Sequence, residues 1–337
     1  MPILGQGIIP SGNIGNELTY VTRRAFVPKL VVQQYNASPL LAALYANAQT
    51  ASGGVSGVTV PVQGAQMVQF EWSDYSGSFS APSVQAGVQN AEYDLKLGII
   101  PIPFLGMEGA VQLDHDVIPL IEARMNDAGN VAADQFATAL FNNTTNNQAF
   151  IGLAGAIDDG TEMATYGGLS RSTNTWWQSK RYSPSGTPAP TRALMLQYIT
   201  GVLKSAGGEL PSFGVTGLGT WAMLAQDYMG LERYDITPGR AFSDSSEGAK
   251  SAFRALEVAG VPIYADPYAP EGTIYFLNMN YLSLYIHKDF AMAFTGFQST
   301  LPNLQLGYIG AVCTVAELVS VKPKSMGVVT GLDYLAI

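Results

Sequence analysis

The sequence predicts an α+β fold, and three features of its 337 residues carry that prediction. They are one long amphipathic helix, a stretch of alternating polarity ahead of it, and alternating helices and strands behind it. The helix runs through Leu113 to Asn143. Val117, Ile121, Met125, Ala128, Ala132, Phe136 and Leu140 recur at spacings of three and four and so share one face. Asp114 or Asp116 can cap its start, and Pro119 falls in the first turn, where its missing N–H costs little. Such a helix is roughly 36–40 Å long, about the width of a domain. Gly129 in its middle costs about 1 kcal/mol against alanine, so close packing is expected there. The run of Asn and Thr from 142 to 147 breaks it.

Ahead of the helix, residues 1–36 have no regular period and read as an extended arm. Leu18, Tyr20, Val21, Phe26, Val27 and Leu30 within it require a surface to cover them. Residues 37–54 form a short helix started by Ser38-Pro39, with Leu40, Leu41, Leu44 and Tyr45 inward, and a connection. Residues 55–104 predict a long β-hairpin. Val68, Phe70 and Trp72 alternate with polar neighbours on one strand, and Tyr93, Leu95, Leu97 and Ile99 on the return. The segment between, 74–82, is too long for a tight turn. A two-stranded hairpin is marginal alone, so its apolar stripe lies either on its own domain or on a neighbouring copy.

Behind the helix, the Ser/Pro/Gly/Thr-rich stretch 183–190 marks a junction. Thr191 caps a helix through Leu194, Tyr198, Ile199, Val202 and Leu203 that ends at Gly207-Gly208. Phe213–Thr216 is a strand, and Trp221, Leu224 and Tyr228 form a helical face. Strands follow at Glu257–Ala265, Thr273–Asn278 and Tyr281–His287. Gly310–Val321 is apolar on both faces except for Glu317, the pattern of a strand covered on both sides.

Composition narrows the function. Only 13% of residues are charged against 47% hydrophobic, and an average soluble domain carries roughly 25% charged residues. A surface so poor in charge suits a subunit that lives in contacts. The net charge of −9 and the lack of any Lys/Arg cluster exclude a protein that wraps nucleic acid. The N-terminus shows no basic stretch followed by an apolar core, and no run of about 18 apolar residues exists, so neither a secretion signal nor a membrane span is expected. The chain is expected to be made and kept in the cytoplasm, or in something assembled there.

Chemistry finds few candidates. Of two histidines, His115 stands between two aspartates at the helix start, where the dipole favours acidic residues, and His287 reads as a surface residue. The single cysteine, Cys313, lies in the buried strand. Asp158-Asp159 with Glu162 reads as a solvated acidic turn, and Trp176-Trp177 as core or interface packing. Phosphate loops, nucleophile elbows and triads have no sequence support. No catalytic, cofactor-binding or metal residue is assigned, and an α/β enzyme built on 190–300 is a minor alternative.

The order of these elements resembles the major capsid proteins of tailed bacteriophages, the HK97-like fold, over nearly the whole chain. The residues that carry the resemblance are the helix running into Phe141-Asn142-Asn143-Thr144, then Ile151-Gly152-Leu153 and Thr165-Tyr166-Gly167-Gly168-Leu169-Ser170-Arg171. Leu256–Ile263, Asp266-Pro267 and Gly272–Asn278 add to it. The resemblance implies an N-terminal arm (1–36) and an extended loop (55–104) that lies across a neighbouring subunit. It also implies a peripheral domain (105–189, with its spine helix at 113–142), an axial domain (190–300) and a return to the peripheral domain (301–337).

The implied function is that of a structural subunit of an icosahedral head shell enclosing a double-stranded DNA genome; an encapsulin-like compartment is the alternative. The implied partners are copies of itself in hexamers and pentamers, a separate scaffolding protein (the arm starts close to Met1), a portal, a cement protein, and packaged DNA touched weakly without sequence preference. The implied location is the virion, with assembly in the host bacterial cytoplasm. Phe70, Trp72, Tyr75 and Phe79 are expected to make inter-subunit contacts along the hairpin. Some relatives link subunits through a loop lysine. This chain has no lysine between Lys29 and Lys96, which implies a noncovalent shell.

Overall fold

The computed structural model describes residues 38–52, 56–64, 72, 87–105, 117–141, 149–229, 255–299 and 307–336. The arm, His115 and the helix start before Val117 lie outside these residues. Helix α1 (Pro39–Ala46) begins as its sequence requires: the Ser38 hydroxyl accepts from the Leu41 N–H, and Pro39 occupies the first turn. The same hydroxyl donates to the buried carboxylate of Asp266. Leu40, Leu41 and Leu44 are fully buried.

Strand β1 (Gln49–Ala51) is followed by the hairpin β2 (Gly57–Gln63) and β3 (Val88–Asp94), antiparallel with Gly57 opposite Asp94 and Gln63 opposite Val88. Strand β4 (Lys96–Leu105) precedes the long helix α2 (Val117–Phe141), whose 25 residues span roughly 37 Å. Met125, Ala128, Ala132 and Leu140 of the expected face are buried, as is Gly129. Small side chains at 128, 132 and 133 let the helix approach a sheet closely.

The two-residue turn Gly167-Gly168 joins β5 (Thr165–Tyr166) to β6 (Leu169–Ser170), both glycines at positive φ, which glycine adopts freely. Next come β7 (Lys180–Tyr182) and α3 (Arg192–Ala206), capped by the Thr191 hydroxyl and ended by left-handed Gly207. After them lie β8 (Phe213–Thr216), α4 (Leu218–Met229), β9 (Ala255–Val258), β10 (Val261–Ala265) and β11 (Ile274–Leu277). The strand expected over Glu257–Ala265 is therefore two strands. Ala259 (φ 52) and Gly260 (φ 83) make a tight turn between them, the backbone that matches strand twist in a two-residue hairpin.

The chain then forms β12 (Leu282–His287), β13 (Ala293–Phe294), β14 (Gln298–Ser299), β15 (Gly307–Ser320) and β16 (Gly327–Val329). Two six-stranded sheets result. In the first, the long β15 is the hub: β4 runs antiparallel along one side, and β12, β13 and β14 pair with the other, with β1 beyond β12. The second has the order β7-β16-β11-β8-β10-β9.

Side chains sort cleanly by face. In the second sheet, Ile274, Phe276, Ile263 and Val329 pack with Met195, Ile199 and Leu224 of α3 and α4. The opposite face sends Val215, Tyr275 and Val328 into the largest cluster, with Leu140, Phe141, Leu153, Leu284 and Leu318. That cluster joins the two sheets to the end of α2. A smaller one sets Met125, Ala128 and Ala132 of α2 against Ile102, Phe104, Phe294 and Val312 of the first sheet. The sheets do not divide at residue 300: β12 pairs with β15, while β16 sits in the second sheet.

Candidate functional site: an assembly surface

The return strand expected from Tyr93 through Ile99 is two strands in two sheets. Pairing with β2 ends at Asp94, and from Lys96 to Leu105 the chain pairs with β15 instead. Leu95 is the crossing point, its N–H bonded to Ser56 O. Residues of one parity therefore change sides: Tyr93 points into the core, whereas Leu97 and Ile99 are 52% and 56% exposed. Ile102 and Phe104 now carry the inward face. Both faces of 97–104 are apolar, so alternation could not reveal the switch.

The hairpin root is held on its own body. Val62, Ala91 and Tyr93 are buried, and the Glu92 N–H donates to Gly167 O at 2.9 Å. The Tyr93 hydroxyl donates to Ser320 O at 2.8 Å, and its ring meets Tyr166 edge-on, centroids 5.3 Å apart. Just past the end of β2, Trp176 lies over Gly64; a Cβ there would come within 1.9 Å of the indole. Beyond this point Trp72 is 90% exposed. Of the predicted contact residues, Trp72 alone is described; Phe70, Tyr75 and Phe79 lie outside the described residues.

The outer face of the β4–β15 ribbon is apolar. Leu97, Ile99, Pro101 and Pro103 stand opposite Val315, Cys313, Ala311 and Ile309, with Ile309 itself exposed. No side chain in this set is charged. Among the described residues strand β4 is also a sheet edge, a hazard for uncontrolled pairing. Pro101 and Pro103 have no N–H to offer a further strand, and Arg124 Nη1 takes the Pro103 carbonyl at 2.9 Å. The edge beyond Ile100 is thus blunted while its side-chain face stays open.

Beneath the hairpin root is a buried polar cluster that the sequence concealed. Asp158, expected in a solvated turn, is fully buried: it accepts backbone N–H bonds from Gly160, Glu162 and Met163, and ion-pairs with Arg171 and Arg181. Burial acts against its charge, yet those donors and Arg171 hold its carboxyl below the usual range. Arg171, also fully buried, donates to Met163 O and Ala156 O and lies over the Tyr166 ring. Tyr166 spans to β15, donating to Leu318 O and accepting from the Ser320 N–H, and burial pushes its hydroxyl up. Trp177 is buried and donates from Nε1 to Tyr166 O, while Trp176 is half-buried. The motif Thr165–Arg171 is thus a clamp between the hairpin root and the central strand.

Glu317, in that strand, is 1% exposed. One carboxylate oxygen accepts from the Ile151 N–H at 3.2 Å; the other has no hydrogen-bond partner. Burial pushes its carboxyl up to about 8. His287 is buried rather than at the surface, because its Nδ1 accepts from the Asp289 N–H and its ring packs on Phe290. Cys313 is buried. Among the described residues no group of three or more His, Cys, Asp and Glu could hold a metal ion, and no helix is long and apolar enough to cross a membrane.

The sequence matches no protein-family model and no curated protein. Its structure is similar to solved ones. The capsid asymmetric unit of cyanophage A-1(L) matches with a TM-score of 0.65 at 15% identity, covering 88% of this chain and 93% of that one. The capsid of the native GTA particle gives 0.53 at 12% identity, covering 87% and 90%. The holo-SrpI encapsulin complex of Synechococcus elongatus gives 0.53 at 11% identity, covering 93% and 92%. The HK97-like capsid fold expected from the sequence is the fold of this chain. The capsid proteins it resembles are structural proteins rather than enzymes.

Proposed function

We propose that this chain is the subunit of an icosahedral phage head shell that encloses double-stranded DNA. The observation that carries the reading is a capsid fold that leaves large apolar side chains on its surface. Trp72 is almost fully exposed, and the apolar face of Leu97, Ile99 and Ile309 is uncovered on the same chain. In a closed lattice one copy's extension covers another's face, and small free energies per contact sum over many copies. Phe70, Trp72, Tyr75 and Phe79 are the residues proposed to make that contact.

The division into arm, extended loop, peripheral and axial domains is proposed on the same resemblance. So are hexamers and pentamers, a scaffolding protein, a portal and a cement protein, assembly in the bacterial cytoplasm, and a place in the virion. An acidic wall suits a DNA container, because a wall that gripped phosphates would impede packing and release. Electron microscopy of the expressed protein tests the reading: closed particles of uniform diameter are expected, and a monomer at every concentration overturns it. The likeness to an encapsulin favours a second reading, a compartment for enzyme cargo. Nucleic acid in particles purified from infected cells supports the first, and a protein cargo the second.

A further inference from the structure

Glu317 is the one carboxylate on the central strand β15, and its side chain is buried with it. Its strand neighbours Ala316 and Leu318 turn to the other face of the sheet, into the apolar cluster with Leu284. The charged and titratable groups that face it come from every neighbouring element. Asp94 and Lys96 flank the crossing between hairpin and sheet, Tyr93 lies on β3, Tyr166 on β5 with Arg171 behind it, and Tyr285 stands directly opposite on β12. None of them donates a hydrogen bond to the open oxygen. Among the described residues, the hydrogen-bond donor from another segment is the Ile151 N–H, on the chain that follows α2.

We infer that Glu317 is a proton-operated latch: protonated, it lets the hairpin root and the segment around Ile151 stay packed on β15, and on losing its proton it releases them.

The physical reason is the cost of an uncompensated charge. A neutral carboxyl is tolerated in this site, whereas a carboxylate with one unsatisfied oxygen gains too little from Lys96 to offset its burial and must reach water. The proton passes to bulk solvent as the site opens. The cheapest opening is local, because few hydrogen bonds among the described residues tie the root to the rest of the body, those of the Tyr93 hydroxyl and the Glu92 N–H, and the Ile151 N–H rests on Glu317 itself. In a shell, the angle at which each hairpin leaves its subunit would then depend on proton concentration. That consequence rests on the shell reading, but the latch itself is a property of the single chain.

Hydrogen exchange of the full chain at several pH values tests it, each rate divided by the intrinsic rate at that pH. Amides at 93–97 and 149–153 are expected to open about tenfold more per pH unit between roughly pH 5.5 and 7.5, levelling above about 8, while the second sheet stays flat. Glu317→Gln is expected to abolish the slope. A wild-type profile without slope, or the same slope in Glu317→Gln, overturns the latch and leaves the shell reading standing. Should Glu317→Gln fail to fold, infrared spectra of the wild-type chain with labelled glutamate decide. A protonated glutamate band at pH 6.5 that is lost near pH 8 supports the latch, and no such band at pH 6.5 overturns it.

Discussion

Replacing Leu97 and Ile99 together by threonine separates assembly from folding. Both side chains are about half exposed on the subunit, so the substitution removes little that holds the subunit itself. Threonine keeps the strand preference, and surface changes of this kind usually alter stability by about 0.5 kcal/mol or less. In the lattice the effect is larger. Fully burying a Leu or Ile contributes about 1.5–3 kcal/mol, and roughly half of that is still to be gained here, or about 1 kcal/mol each. A loss of about 2 kcal/mol per contact weakens pairwise association roughly 30-fold, and a closed shell multiplies it. Light scattering against concentration should show the assembly threshold rising by at least that factor, while the thermal midpoint of the unassembled subunit stays within a few degrees. An unchanged threshold would refute the claim that this face is covered by another copy; a large fall in the midpoint would show that the residues serve the fold.

Gly64→Ala should cost about 1–3 kcal/mol in chemical denaturation, because the added methyl drives into the Trp176 ring, and Trp176→Ala in the same chain should recover much of it. Asp158→Asn should destabilise by about 3–5 kcal/mol, since it leaves the buried Arg171 guanidinium uncompensated. The wild-type carboxyl is held below its ordinary value, so its contribution is present above the unfolded value of 3.8 and lost as pH falls through the lower folded value. Acid titration of Asp158→Asn should therefore lack that part of the wild-type loss below pH 4. Assembled particles boiled in SDS should run as a single band at subunit mass. A ladder of covalent oligomers would contradict a shell whose loop offers no lysine.

Much of the fold was legible because local chemistry and tertiary packing agree. Ser38-Pro39, Thr191 and Gly207 cap the helices they were expected to cap, and the three-four spacing of 125–140 marks the face that α2 buries. The misreadings fall where one pattern serves two structures. Apolar residues on both sides of 97–104 hid the change of sheet. The pair Ala259-Gly260 sits inside an apolar run that reads as one strand, although glycine there is a turn signal. Asp158 looked exposed because its partners, Arg171 and Arg181, are 13 and 23 residues away, a separation no local pattern reveals. Aromatic alternation in the sequence suggests the hairpin residues proposed for contact, but not the exposed face of Leu97 and Ile99, which shows only with β4 paired on β15.

The chain's last forty residues cross from one sheet to the other, giving the first its hub and the second an interior strand. Neither half is complete without this crossing thread, so cutting the polypeptide near residue 300 leaves two open wounds rather than two modules. In the proposed shell, such a unit would resist being prised apart from within, since tension on either half is handed through covalent backbone to the other.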